Sequence, residues 1–151
     1  MRFAILLALL TQTLGPAPKP GHAAIAASPA EVNGNPGTKI ALFVDVTPKP
    51  GMHVYAPGNA DYIPITVKLT APSTIKPGKV AYPKSEVMTL ADEKVSVFQK
   101  PFRLTQDVTL DKSAQAGSTI VVPATINYQA CDDKVCYPPE SASVSWTVTV
   151  R

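Results

Sequence analysis

Cys131 and Cys136 are the only cysteines in the chain, with four residues between them in the stretch NYQACDDKVCYPPES at 127–141. Two chemistries fit such a pair. As a staple, a bridge closing about six residues contributes roughly 2 kcal/mol in the chain-entropy account. A hairpin already closed by its own ladder gains less than that. A bridge joining two sheets, as in antibody domains, would do more. As an exchange site, the pair needs a sulfur that another thiolate can reach, and a hairpin tip provides one. The local charge is mixed, because Asp132 and Asp133 disfavour a thiolate and Lys134 favours it. The spacing is not the C-x-x-C of a helix N-terminus, so thioredoxin-type activation is missing. From these residues alone, a structural bridge and a redox-active one both stand.

Few other side chains compete for the chemistry. His53, in GMHVY, is the one histidine left if the N-terminal leader is removed near Ala26. A blue-copper site needs two histidines with its cysteine, and structural zinc needs four ligands, so neither metal fits. No G-x-S-x-G motif supports a serine hydrolase. His53 reads either as a surface histidine at a strand start or as a neighbour of the cysteines. Tyr55 reads as packing or as part of the site, and Phe98 as a core residue or as a cap. Asp92 and Glu93 are a solvated turn or a pair that tunes the cysteines.

The elements that position these residues read as strands. Residues 38–46 alternate, with Ile40, Leu42, Val44 and Val46 on one side. Residues 52–55 are a short extended piece, and Ile65, Val67 and Leu69 mark another strand. Residues 80–82 and 95–98 are short strands, whereas 83–94 are irregular or carry one helical turn. Residues 102–110 alternate less cleanly, because Gln106 interrupts the apolar side. Residues 120–128 and 144–150 are the clearest runs. They flank the cysteines, which therefore face each other near a hairpin tip. Tyr128 and Trp146 belong to the core, and Pro138 and Pro139 set the turn into the last strand. Seven or eight short strands without sustained helical periodicity imply an all-β, antiparallel β-sandwich.

The composition agrees. The 151 residues are 45% hydrophobic and 17% charged, and 16 of them are proline, which suits turns and strand edges rather than long helices. Arg2, an apolar run at 3–10 too short to span a bilayer, and Ala24-Ile25-Ala26 have the form of a cleavable signal peptide. The expected organisation is a signal peptide at 1–26, a flexible lead-in at 27–37 and one domain at 38–151. No stable membrane insertion is expected after cleavage. Losing Arg2 and Lys19, and no acid, takes the net charge from +3 to +1. That is no basis for binding nucleic acid. Export places the cysteines where disulfides persist.

The stretch NYQACDDKVCYPPE at 127–140 resembles the N-terminal periplasmic domain of the thiol:disulfide interchange protein DsbD family. Residues 50–69, PGMHVYAPGNADYIPITVKL, and 80–104, VAYPKSEVMTLADEKVSVFQKPFRL, are similar to further parts of it. The resemblance implies an immunoglobulin-like sandwich that acts as a protein-disulfide reductase component in the periplasm. It implies Cys136 as the cysteine that forms the mixed disulfide and Cys131 as the one that resolves it. His53, Tyr55, Asp92, Glu93 and Phe98 are then candidates for the flanking or capping groups. The implied partners are periplasmic thioredoxin-fold proteins and a separate membrane electron carrier. No cofactor is implied, because two sulfurs carry the two electrons themselves. The reading from a different class is an immunoglobulin-like binding or scaffold domain with a purely structural disulfide.

Overall fold

A computed structural model describes residues 21–151, and no helix occurs among them. The strands are β1 (Ala23–Ala27), β2 (Glu31–Gly34), β3 (Lys39–Pro48), β4 (His53–Tyr55), β5 (Thr66–Leu69), β6 (Ile75–Ala81), β7 (Glu86–Leu90), β8 (Glu93–Phe98), β9 (Phe102–Leu110), β10 (Thr119–Tyr128), β11 (Ala130–Cys131) and β12 (Glu140–Val150). They form three four-stranded sheets, ordered β1-β3-β9-β6, β2-β12-β10-β5 and β11-β4-β8-β7.

The first two sheets make the sandwich, and period-two alternation explains why. Ile40, Leu42, Val44 and Val46 of β3 share one core with Val122, Ala124, Ile126 and Tyr128 of β10 and Trp146, Val148 and Val150 of β12. All these side chains point inward from opposite sheets. The Trp146 indole spans the layers and donates to the Phe43 carbonyl at 3.2 Å. Gln106, the polar break in β9, is buried, yet its amide donates to the carbonyls of Gly78 and Asp107. These bonds sit where the pairing of β6 with β9 slips between Pro77 and Val80, so the glutamine serves a bulge that leaves carbonyls unpaired.

The structure departs from the sequence reading in three places. Residues 83–94 are not irregular or helical; β7 and β8 pair there as an antiparallel hairpin. The 27–37 lead-in is not free chain, because β2 runs parallel to the end of β12. The leader expectation at 1–26 falls mostly outside the described residues, but its last part forms β1, paired from Ala23 to Ala27 against β3. Small alanines satisfy both a cleavage rule and a half-buried edge strand, so composition alone did not separate the two. With β7 and β11, these short edge strands raise the count from seven or eight to twelve among the described residues, and β2 adds a parallel pair to an otherwise antiparallel fold.

Candidate active site

The β10–β12 hairpin carries the cysteines on an extension that leaves its own sheet. The ladder runs in register from Thr119↔Thr149 to Tyr128↔Glu140. Beyond it, Cys131 faces Cys136 in an isolated bridge, and the two are disulfide-bonded with Cα atoms 4.0 Å apart. Two residues lie between Tyr128 and Cys131, but three lie between Cys136 and Glu140, so the second arm holds one extra residue. Pro138 and Pro139 are in that arm and offer no N–H to a ladder. The expectation that the cysteines face each other near a tip holds, with this slip added.

The slip lets β11 turn into the third sheet, where Cys131 pairs with His53 and Ala130 with Val54. Alternation along β4 then sorts its neighbours. Val54 points into the main core, whereas Tyr55 joins Val95, Val97 and Cys131 in a second, smaller cluster. The two sulfurs end in different surroundings: Cys131 is 1% exposed, whereas Cys136 faces solvent.

Tyr55 sits beneath the pair. It is fully buried, and its hydroxyl lies 3.4 Å from Cys131 Sγ and 3.5 Å from Cys136 Sγ. Burial, with Tyr62 adding to it, pushes its pKa up, so the phenol stays protonated and can donate. Tyr62 stacks on it with ring centroids 4.4 Å apart and donates to the Glu93 carboxylate at 3.3 Å. Asn59 fixes the intervening loop. Its amide donates to the carbonyls of Ala56 and Ser96, and its Oδ1 accepts from the Ser96 N–H. Tyr55, Tyr62, Leu90 and Ala91 thus wall a shallow cleft that opens onto both cysteines.

The tip is organised by Asp132. Its Oδ1 accepts the N–H groups of Lys134 and Val135 at 2.7 and 2.8 Å, and its Oδ2 accepts the Tyr137 hydroxyl at 3.0 Å. The two backbone bonds lead in holding this carboxyl below its ordinary range. His53 is buried rather than on the surface, edge-on to Tyr55 at 5.5 Å, and its Nε2 has no hydrogen-bond partner among the described residues. Burial pushes its pKa down, against the pull of Asp133 and Asp132. Phe98 is not a cap. It lies in the main core stacked on Phe102, because alternation in β8 turns Val95 and Val97, and not Phe98, toward the cysteines.

The family model described as "Thiol:disulfide interchange protein DsbD, N-terminal" matches residues 22–147. The chain belongs to this family. No curated protein sequence matches the chain. Among solved structures it is similar to the N-terminal periplasmic domain of ScsB from Proteus mirabilis, with a TM-score of 0.60 and 12% identity over 87% of this chain and 48% of that one. It spans about half of that ScsB chain, and the likeness is one of fold. The DsbD N-terminal domain of Neisseria meningitidis in the reduced form aligns with a TM-score of 0.45 and 17% identity, over 70% of this chain and 74% of that one. The same Neisseria domain in its complex with the PilB N-terminal domain gives 0.49 and 17%, over 89% and 88%.

Within a DsbD N-terminal domain the immunoglobulin-like sandwich expected from the resemblance is present, with the cysteine pair on its third sheet. Of the sequence-stated candidates, the fold brings Cys131, Cys136, His53 and Tyr55 together. The turn at Asp92 and Glu93 reaches the site through its neighbours, since Leu90 and Ala91 line the cleft and Glu93 holds Tyr62. Sequence reasoning missed Tyr62. The signal available was an aromatic residue inside an otherwise polar loop, seven positions after Tyr55.

Proposed function

We propose that this domain is a periplasmic thiol:disulfide exchange module in which Cys136 is the sulfur attacked by a partner and Cys131 is the resolving cysteine. The carrying observation is the asymmetry of exposure: Cys136 meets solvent, and Cys131 is buried against Tyr55. A partner thiolate attacks Cys136 Sγ, and the Cys131–Cys136 bond breaks. Cys131 leaves as a thiolate that the Tyr55 hydroxyl can hydrogen-bond until a proton arrives. The partner's second thiol then attacks its own sulfur in the mixed disulfide and releases Cys136 as the second thiolate. The partner ends oxidised and the pair reduced, so two electrons have moved. Run in reverse, the same steps reduce the next protein.

The occupants we infer are thioredoxin-fold proteins on one side and a separate membrane electron carrier on the other. A cleavable leader within the first 20 residues would deliver the domain to the periplasm. The test is trapping. The Cys131→Ser variant of the full chain, expressed with its leader in a bacterial host, should accumulate mixed disulfides through Cys136, and Cys136→Ser should not. Absence of any adduct in Cys131→Ser, together with failure of a reduced thioredoxin to reduce the purified wild type, would overturn the reading. A potential below about −300 mV, typical of structural bridges, would point the same way.

A further inference from the structure

Behind the exchange hairpin lies a cluster that the sulfur chemistry does not use. The Glu140 carboxylate accepts His22 Nδ1–H at 2.5 Å on Oε1. Its Oε2 accepts the His22 backbone N–H at 2.9 Å and the Tyr128 hydroxyl at 2.5 Å. The His22 ring stacks on Tyr137 with centroids 4.0 Å apart and planes 23° from parallel. Tyr137 directly follows Cys136. Its N–H donates to the Ala130 carbonyl at 3.0 Å and its hydroxyl to Asp132 at 3.0 Å. Gly21 closes the cluster, where a Cβ would lie 2.5 Å from the Tyr128 hydroxyl oxygen.

These contacts stand where a ladder does not. Cys136 is held by an isolated bridge, and Pro138 and Pro139 contribute no N–H on its C-terminal side. Once the disulfide opens, the covalent tie is gone. What then keeps Cys136 opposite Cys131 is the Tyr137 backbone bond, the Gln129 amide that donates to the Tyr137 carbonyl at 3.1 Å, the Asp132 tip and the stacked His22 ring. Ring closure between two thiols depends on such prior orientation.

We propose that His22 is a positioning residue for disulfide exchange: anchored by Glu140, its ring clamps Tyr137 and so fixes how Cys136 is presented. This rests on the exchange reading above and deepens it. A residue 118 positions from Glu140, at the entry to β1, becomes part of how the site works.

The test uses the full chain, its His22→Ala, His22→Gln and His22→Phe variants, and Tyr137→Leu. Two quantities are measured well below the melting temperature, the rate at which the reduced domain exchanges with oxidised thioredoxin and the equilibrium with glutathione, and Tm is measured alongside. His22→Ala should slow exchange about fivefold and make the pair about fivefold easier to reduce, the scale of one lost stacked ring contact. His22→Gln, which keeps a donor but no ring, should behave like His22→Ala, and His22→Phe should recover most of the rate. A His22→Ala variant with wild-type rate and equilibrium overturns the proposal whatever its Tm, since the cluster would then be structural only. Should His22→Ala fail to fold, Tyr137→Leu leaves β1 intact and must show the same slowing; an unchanged rate there overturns the proposal equally. Failure of the wild type to react with thioredoxin would count against the exchange reading, and the glutathione equilibrium would still judge His22.

Discussion

The hydroxyl of Tyr55 touches both sulfurs, and its removal isolates one contribution to the couple. A phenol that donates to a thiolate stabilises the reduced state, so Tyr55→Phe should make the pair harder to reduce. One such bond, worth about 1.4 kcal/mol, corresponds to about 30 mV, read from the glutathione equilibrium. His53 gives a pH signature instead. Its folded pKa lies below the ordinary histidine value because it is buried, so the unfolded chain binds its proton first. Stability from this residue is therefore present above a pH of about 6.5 and declines as pH falls through the folded value. His53→Phe should flatten the slope of Tm between pH 7 and 5. At this scale the sequence was partly legible. His53 and Tyr55 share a face because they are two apart on a strand whose end meets Cys131. Phe98 takes the core reading of the two the sequence left open, because one step along β8 reverses the face, and no composition shows which face meets the cysteines. Tyr62 is placed by a loop that Asn59 shapes, and loop geometry has no period to read.

At the scale of elements, the β7–β8 hairpin stores a specific cost beside the site. Its two-residue turn has both residues left-handed, Ala91 at φ 46° and Asp92 at φ 71°, as a type I′ turn requires. Neither is glycine or asparagine, which is why residues 83–94 did not read as a hairpin. Left-handed backbone at alanine costs roughly 1–2 kcal/mol. Ala91→Gly should therefore raise stability by about 1 kcal/mol, and Tm by about 4 °C for a domain of this size, measured by thermal unfolding. The β10–β12 hairpin shows the opposite balance. Its ladder was legible from nine residues of alternation at 120–128 on one arm and the run at 144–150 on the other. The one-residue slip beyond Tyr128 follows from the proline pair, whose place the sequence displays but whose effect on register depends on what β4 offers Cys131.

At the scale of the molecule, the two large sheets are a platform and the third sheet is what they carry. The sandwich was readable because β3, β10 and β12 are long enough for alternation to dominate their local chemistry. The short strands were not, because β1 and β2 are held by their partners rather than by any pattern of their own. That dependence makes the N-terminal boundary a physical question. A cut after Ala26 would strip all but the last pair of β1 from β3, leave a ten-residue strand as a bare edge and remove His22 from Glu140. Ala23 and Ile25 contribute buried or half-buried apolar surface, and one aliphatic side chain alone is worth about 1.5–3 kcal/mol. A chain beginning at Ala27 should accordingly lose roughly 3 kcal/mol relative to one beginning at Gly21, associate through its open β3 edge, and exchange disulfides more slowly. On the proposed export with removal of a leader, the mature protein should therefore start at or before Gly21, which its intact mass reports directly. A mature mass that begins at Ala27, in a protein that still melts and exchanges like the longer one, would mean that β1 contributes nothing to the fold and that the His22 clamp plays no part in the chemistry.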